Sequence, residues 1–515
     1  MKNKISTTKT FLLALCFAFP LASFSQDGSL DNTFGTNGIV ATPNDGDINA
    51  SAIQTDGKII AAGGRYNGEI FEGIFTLSRY NTNGSLDNTF GIGGIVTTII
   101  GNQVSNILSI KIQADGKIVA AGYYGSVSQA VFALTRYNTN GSLDNTFGTN
   151  GLVTTSIGTS SFLSDIALQT DGKIVAVGSS RVGSSQNIFT LCRYNTNGSL
   201  DNTFGSEGIV TTSIGTESFA GAVAIQTDGK IVAAGMGLSG SPSYFALTRY
   251  NTNGSLDNTF GIGGIVSTSI GSTSDADADA IAIQTDGKIV VAGQGKNGAQ
   301  HHFALTRYNT NGSLDNTFGI GGIISTSIGT LSRIYDIAIQ TDGKIVAAGY
   351  SDIGTQYNCV LTRYVINGSL DITFGINGIV TTSIGTSSSL ASGIEIQTDG
   401  KIVAVGSASD AGGQILLARY NNSLTGDISE YSNKTSQISI YPNPFSNTTT
   451  LKTDNLFENA TFIVYNTLGE QVRKIDNISG QTFTFYRENL DEGIYFYHLK
   501  ENNKMLSVDK LIICD

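Results

Sequence analysis

Gly312-Ser313-Leu314-Asp315-Asn316-Thr317-Phe318-Gly319 decides how this chain is read. It is preceded by Phe303-Ala304-Leu305-Thr306-Arg307-Tyr308 and followed by Gly322-Ile323-Ile324-Ser325-Thr326. The same string, allowing one varied position, ends at Phe34, Phe90, Phe147, Phe204, Phe260, Phe318 and Phe374, 56 to 58 residues apart. An Asp-Gly-Lys turn recurs seven times, at Asp56, Asp115, Asp171, Asp228, Asp286, Asp342 and Asp399. An Arg-Tyr pair recurs seven times, from Arg79-Tyr80 to Arg419-Tyr420. Three separate markers thus count one unit seven times, and a fixed period of this size is the signature of a repeat architecture.

Each unit reads as four short strands. In the fifth, Ile281-Ala282-Ile283-Gln284 alternates, Asp286-Gly287 makes a tight turn, and Lys288-Ile289-Val290-Val291-Ala292 returns. Asp-Gly between apolar runs is a strong hairpin signal because Gly accepts the positive φ that such turns require. Phe303–Tyr308 is the third strand, Asn309-Thr310-Asn311-Gly312 is turn chemistry, and Gly322–Thr326 is the fourth. Four strands in about 56 residues make one blade of a β-propeller. The last unit lacks its Gly-Ile-Val strand, whereas Gly38-Ile39-Val40-Ala41-Thr42 stands unpartnered at the start. Residues 38–42 are therefore expected to supply the fourth strand of the seventh blade, closing a ring without open sheet edges. The expected fold is all-β: a seven-bladed propeller over residues 26–420, with four-stranded blades.

Gly-Ser-Leu-Asp-Asn-Thr-Phe-Gly, then Gly-Ile-Val, then Gln-Thr-Asp-Gly-Lys-Ile-Val-Ala-Ala-Gly closely resembles the bacterial delta-60 repeat family over residues 28–420. That resemblance implies a β-propeller repeat and assigns no chemistry.

The 515 residues include 63 Gly, 5 Pro and no Trp, with 40% hydrophobic and 14% charged side chains. This fits a turn-rich β protein with real cores and excludes wholesale disorder. Net charge is −11, and an acidic surface argues against nucleic acid as the main partner. Lys2, Lys4 and Lys9 precede the apolar run Phe11–Leu21, and Ser23-Phe24-Ser25 offers small residues before Gln26. Residues 1–25 read as a secretory signal peptide. Its loss leaves 27 basic against 41 acidic residues. No later run approaches the length of a transmembrane helix. Cys192, Cys359 and Cys514 are too few and too scattered for a disulfide framework.

A polar linker, 421–436, precedes a second alternating segment, 437–515, expected to form a small antiparallel β-sandwich. Its motifs Tyr441-Pro442-Asn443-Pro444, Tyr465 to Val472 (with Gly469) and Leu490 to Phe496 (with Gly493) resemble the C-terminal sorting domain read by the type IX secretion system of Bacteroidetes. The resemblance implies that the secretion machinery is a partner and that the protein is secreted or attached to the outer cell surface.

Catalytic motifs are absent from the sequence. His301 and His302 are adjacent, so on a strand they face opposite ways, and His498 lies in the tail. Fourteen of the 19 basic residues between Gln26 and Tyr420 belong to the repeated markers, which points to scaffolding. Strand alternation puts the Thr-Asp-Gly turns and the Asn-Thr-Asn-Gly loops on one face, nearly constant between units. The other two connections lie on the opposite face and vary, and variable loops are where specificity is built. Arg65, Tyr123, Tyr124 and Tyr350 are the candidate ligand contacts there. Asp275, Asp277 and Asp279 would share one side of an extended segment, an arrangement that could hold Ca²⁺ or simply be a solvated acidic loop. No other cofactor is implied. The leading reading is a non-catalytic binding or structural module for a glycan or a surface protein. Absent Trp counts against sugar stacking, although Tyr is available. The alternative is a secreted propeller hydrolase or lyase acting on polysaccharide.

Overall fold

The computed structural model describes residues 26–422 and 439–514, apart from 44–45, 67–72, 182, 184–185, 241, 272–274, 355, 385–387, 410–412, 467–470 and 502–503. The signal peptide reading, the linker from 423 onward and Gly469 fall outside these residues. The chain divides into two compact units between Ser423 and Leu424.

The first unit holds seven four-stranded antiparallel sheets. Six are consecutive; the first runs Ile48–Ile53, Ile59–Tyr66, Gly73–Tyr80 and Ile95–Ile99. In the seventh, Ser389–Ile396, Ile402–Ala408 and Gln414–Tyr420 are completed by Ile39–Pro43 from the start of the chain. The register Ile39↔Ala418 to Pro43↔Gln414 is antiparallel, as the missing fourth strand required. The first strands of the seven sheets line a central channel. Each carries a register shift, as between Ile107 and Ser109 or Ile334 and Asp336. Such a bulge twists and bends the strand.

Apolar clusters fill the seams between neighbouring blades. At the closing seam, Phe34, Val403, Val405 and Leu417 meet Ile48, Ile59 and Tyr80. Polar clamps reinforce every seam. In the first blade, Arg79 Nε donates to Asp87 Oδ2 at 2.8 Å, and its guanidinium lies 4.5 Å from the centroid of the Phe90 ring. Its NH1 donates to the carbonyl of Thr139 in the second blade at 2.5 Å. Tyr80, next in the strand, points the other way and donates to Thr42 of the seventh blade at 3.1 Å. Lys58 of the Asp-Gly-Lys turn adds an ion pair to Asp87 at 3.0 Å.

Equivalent contacts recur around the ring, which gives the repeated cations the scaffold role expected of them. At the seam the third-to-fourth loop is assembled from both ends of the unit: Arg419 binds Asp31 at 2.8 Å, Arg363 binds Asp27 at 2.9 Å, and Gly28 N donates to Asn421 O. Removing one partner from a buried ion pair of this kind costs roughly 3–5 kcal/mol, because the other charge stays uncompensated.

The second unit pairs Ser439–Tyr441, Thr448–Tyr465, Gln471–Tyr486, Gly493–Glu501 and Lys504–Ile513, all antiparallel. The expected sandwich is one hydrogen-bonded sheet in which the 18-residue strand Thr448–Tyr465 is shared between layers. Register shifts between Lys452 and Phe462 bend it around a core that includes Phe445, Leu451, Phe462, Phe485 and Leu511.

The clamp Asp residues set the acid stability. Burial alone would raise the Asp31 carboxyl, but hydrogen bonds from Thr33 and the charges of Arg419 and Lys401 bring it down to about 2, against an ordinary 3.8. Asp315 and Asp371 are likewise held at about 2, and the other four marker Asp well below the usual range. A depressed folded pKa stabilises the native state above the unfolded pKa and loses that contribution as pH falls toward the folded value. The melting temperature of the propeller is therefore expected to fall steeply from about pH 4 to pH 2 as these sites take up protons together; a flat profile in calorimetric melts over that range would refute the clamp account.

Candidate functional site

Five basic residues of the propeller lie outside the repeats: Arg65, Lys111, Arg181, Lys296 and Arg333. Lys296 Nζ binds Asp275 at 2.7 Å, and Arg181 Nε donates to Asn187 at 3.3 Å. Arg333 Nε donates to Asp279 at 2.7 Å, and its NH2 donates to Asp277 at 2.6 Å. The alternating carboxylates of residues 275–279 are thus engaged by two cations. Among the described residues no group of three or more His, Cys, Asp and Glu side chains is gathered as a metal site.

Lys111 is different. It opens onto the central channel, a cavity of about 320 Å³ walled by all seven first strands. Facing it are the carboxylates of Asp165, Asp336 and Glu395. Asp165 accepts from Ser109 Oγ at 2.7 Å and from the Ile166 and Val223 amides at 2.8 and 3.0 Å. Asp336 accepts from the Ile337 and Ile394 amides at 2.8 and 2.9 Å. These two side chains staple neighbouring blades. Among the described residues Glu395 takes one long bond, of 3.4 Å, from Ser51 Oγ.

Burial pushes Glu395 up to about 8, with the Asp336 charge adding to it and Lys111 opposing. Burial likewise raises Asp336 to about 6 against its amide donors and Lys111. Burial would lower the Lys111 ammonium, but Asp165, Glu395 and Asp336 together raise it.

On the sixth blade a row of tyrosines leads out of the channel. Tyr335 lines the channel, with its ring 5.7 Å from that of Tyr350, which is 4.9 Å from Tyr357. Arg333 stands 5.5 Å from the Tyr335 ring centroid. Tyr357 is 41% exposed.

The expected contacts are placed apart. Arg65 lies in the strand Ile59–Tyr66, and its side chain is outside the described residues. Tyr123 and Tyr124 end the strand Ile118–Tyr124 and, being adjacent, face opposite sides of the second blade. Tyr123 packs edge-on against Phe162 at 5.1 Å, while Tyr124 joins the cluster on the first-blade side. Tyr350 is the one within the tyrosine row. These positions read as loops in sequence but are strand ends: Ile289–Asn297 and Gln300–Tyr308 are joined by two residues, and Tyr350 lies inside Ile345–Ile353. Polar residues replace the apolar run there, so alternation does not reveal the extension.

The channel cluster was missed for a related reason. Lys111 and Glu395 stand where the other five first strands have Ala52, Ala167, Ala224, Ala282 and Ala338. Those departures from the repeat are the signal that a comparison of units could have used.

In the tail, Asn443 Nδ2 donates to Lys510 O, and Asn443 Oδ1 accepts from Ile512 N, both at 2.8 Å. The motif Tyr441–Pro444 is thereby docked on the last strand. Tyr441 itself is exposed, and Gly493 adopts φ +148°, which favours Gly, at the start of its strand.

The seven sheets around a polar channel define a seven-bladed β-propeller closed by its N-terminal strand. Residues 54–90, 113–147, 169–204, 226–260, 284–318, 340–374 and 397–427 each match the model described as "Domain of unknown function (DUF5122) beta-propeller", and the chain belongs to that family. Residues 439–514 match the secretion system C-terminal sorting domain, the type IX class of tail, which marks the chain for secretion.

No curated protein matches in sequence. Among solved structures, a fungal alcohol oxidase of the AA5 family in complex with copper is 14% identical, covering 93% of this chain and 98% of its own, with a TM-score of 0.43. The polysaccharide lyase Uly1 is 13% identical (72% and 89% coverage, TM-score 0.42). Sqt1 from Chaetomium thermophilum is 11% identical (74% and 98%, TM-score 0.41). At these scores the likenesses carry no argument about activity.

Because Glu395 is held protonated by its surroundings, its ionisation costs native stability progressively from about pH 4.5, its ordinary value, to about pH 8. Glu395→Gln is expected to melt with wild type at pH 4 and above it at pH 9. Equal melting temperatures at both pH values would show that the channel does not perturb this group.

Proposed function

We propose that this is an exported, cell-surface or extracellular propeller that binds a ligand without transforming it, entering through the variable face at the channel mouth. The observation that carries this reading is the division of polar groups. On the constant face the seven Lys and seven Arg of the repeats are engaged in the blade clamps, as with Lys58 and Arg79 on Asp87. In the channel Lys111 faces its three acidic neighbours and Glu395 takes one long bond, so among the described residues both keep hydrogen-bonding capacity to spare. On this reading the protein needs no resident metal, since calcium would have to displace Arg333 and Lys296 from residues 275–279. Residues 1–25 act as the export leader, and the tail is read by the type IX machinery and then removed, leaving the propeller anchored or released.

A second reading, hydrolysis or lysis of a polysaccharide, is favoured by one observation: Asp336 and Glu395, both raised, share the channel with Lys111. Two carboxyl groups with different protonation could serve as acid and base. Assaying a polysaccharide panel for bond cleavage separates the two readings.

A glycan array and a surface-proteome pulldown with the full-length protein are expected to return a ligand. Its capture should fall at least about tenfold when Arg65, Tyr123, Tyr124 and Tyr350 are replaced together, a loss of about 1.4 kcal/mol or more. Ile92→Ser and Ile262→Ser, at exposed positions of the constant face, should leave capture unchanged. The opposite pattern would move the ligand to the constant face. Deleting residues 437–515 is expected to hold the protein in the periplasm, and unaltered surface display by cell fractionation would refute the sorting role.

A further inference from the structure

We propose that the channel mouth on the sixth blade takes the end of a neutral polysaccharide chain, with sugar rings along Tyr357, Tyr350 and Tyr335 and the terminal hydroxyls reaching Asp336, Glu395 and Lys111. The inference deepens the binding reading above and rests on entry from the variable face.

Depth supports a chain end. Tyr335 is the fourth of the eight residues of the strand Ser332–Ile339, nearer the variable side than Lys111 and Glu395, which are each one residue from the constant-face end of theirs. Three residues separate Tyr335 from the level of Lys111, roughly 10 Å at about 3.3 Å per residue. The cavity of about 320 Å³ lies at the small end of the ~300–1,000 Å³ usual for ligand sites. It suits one or two sugar residues and not a chain passing through.

Chemistry selects the class. Among the described residues the Lys111 side chain makes no hydrogen bond, and that of Glu395 accepts only the long one from Ser51. Both therefore offer polar atoms to whatever fills the channel. Together with Asp165 and Asp336 they present donors and acceptors side by side. With Glu395 protonated, Asp165 and Asp336 still outnumber the Lys111 ammonium and repel an anionic sugar, while both already accept from backbone amides and face Lys111, which leaves no unpaired carboxylate for a cationic one. Hydroxyl groups, which donate and accept, satisfy both kinds of partner. Outside, the Tyr335 and Tyr350 rings are tilted by 34° at 5.7 Å and Tyr357 stands edge-on to Tyr350 at 4.9 Å, so the row offers separate aromatic faces to the C–H face of a pyranose and ends at the exposed Tyr357.

The test is isothermal titration of the full-length protein with cellohexaose, laminarihexaose, mannohexaose and maltohexaose, against hexagalacturonate and a chitosan hexamer. At least one neutral hexamer is expected to bind, and Tyr357→Ala and Lys111→Met should each weaken it about tenfold or more. Tyr357→Ala alters an exposed ring, so its melting temperature should match wild type and serve as the folding control. Preference for a charged hexamer, or neutral binding indifferent to both substitutions, overturns the proposal. If a ligand from the pulldown is lost on changing Tyr123 and Tyr350 but no neutral hexamer binds, this inference fails while the broader reading stands. If no ligand depends on the variable face, both fail.

Discussion

The ring depends on two adjacent residues doing opposite things. In every third strand an Arg precedes a Tyr, and a strand sends successive side chains to opposite faces. The Arg reaches forward to a loop of the next blade, and the Tyr reaches back to a Thr on the outer strand of the previous one, as Arg136 does to Thr196 O and Tyr137 to Thr98. One dipeptide thus fastens a blade to both neighbours. The Arg is oriented within its own blade by an Asp and by an aromatic ring beneath it, as with Arg136, Asp144 and Phe147. Seven such joints meet the polar needs of the constant face from within, and this frees the inner strands to vary.

That division of labour shapes the chemistry of the channel. Bulged inner strands turn Asp165, Asp336 and the Tyr335 ring toward the axis, where they meet Lys111 and Glu395. The residues come from the second, third, sixth and seventh blades, so no one repeat encodes the cluster. Amides of the next blade hold Asp165 and Asp336 in place. Polar groups fixed in this way are preorganised, which lowers the ordering cost of any partner they take.

The scaffold was legible because the chain aligns with itself. Seven copies of Gly-Ser-Leu-Asp-x-Thr-Phe-Gly separate what a blade needs from what it tolerates, and the unpartnered residues 38–42 announced how the ring closes. The site was less legible, for two physical reasons. Its residues are single departures from alanine or small positions spread from Lys111 to Glu395, with no local spacing to mark them. A bulge in each inner strand also breaks the period of two, so alternation does not tell which side chains turn inward. Tyr350 reads as a variable residue in the sequence, yet its neighbours Tyr335 and Tyr357 become visible only once three strands lie side by side.

The seventh blade has a consequence for biogenesis. Its outer strand and the marker around Asp31 lie near the beginning of the chain, while Arg419 and Tyr420 lie almost 400 residues later. Blades one to six can each pair their own strands as they emerge, but the last waits for both extremities, and contacts so distant in sequence form late. Gln26, whose side chain donates to Gly375 O at 2.6 Å, is itself part of that junction. Sealing the circle therefore draws on the first described residue as well as on the last strand of the blade, so the ring is held shut by contacts that span nearly its whole sequence.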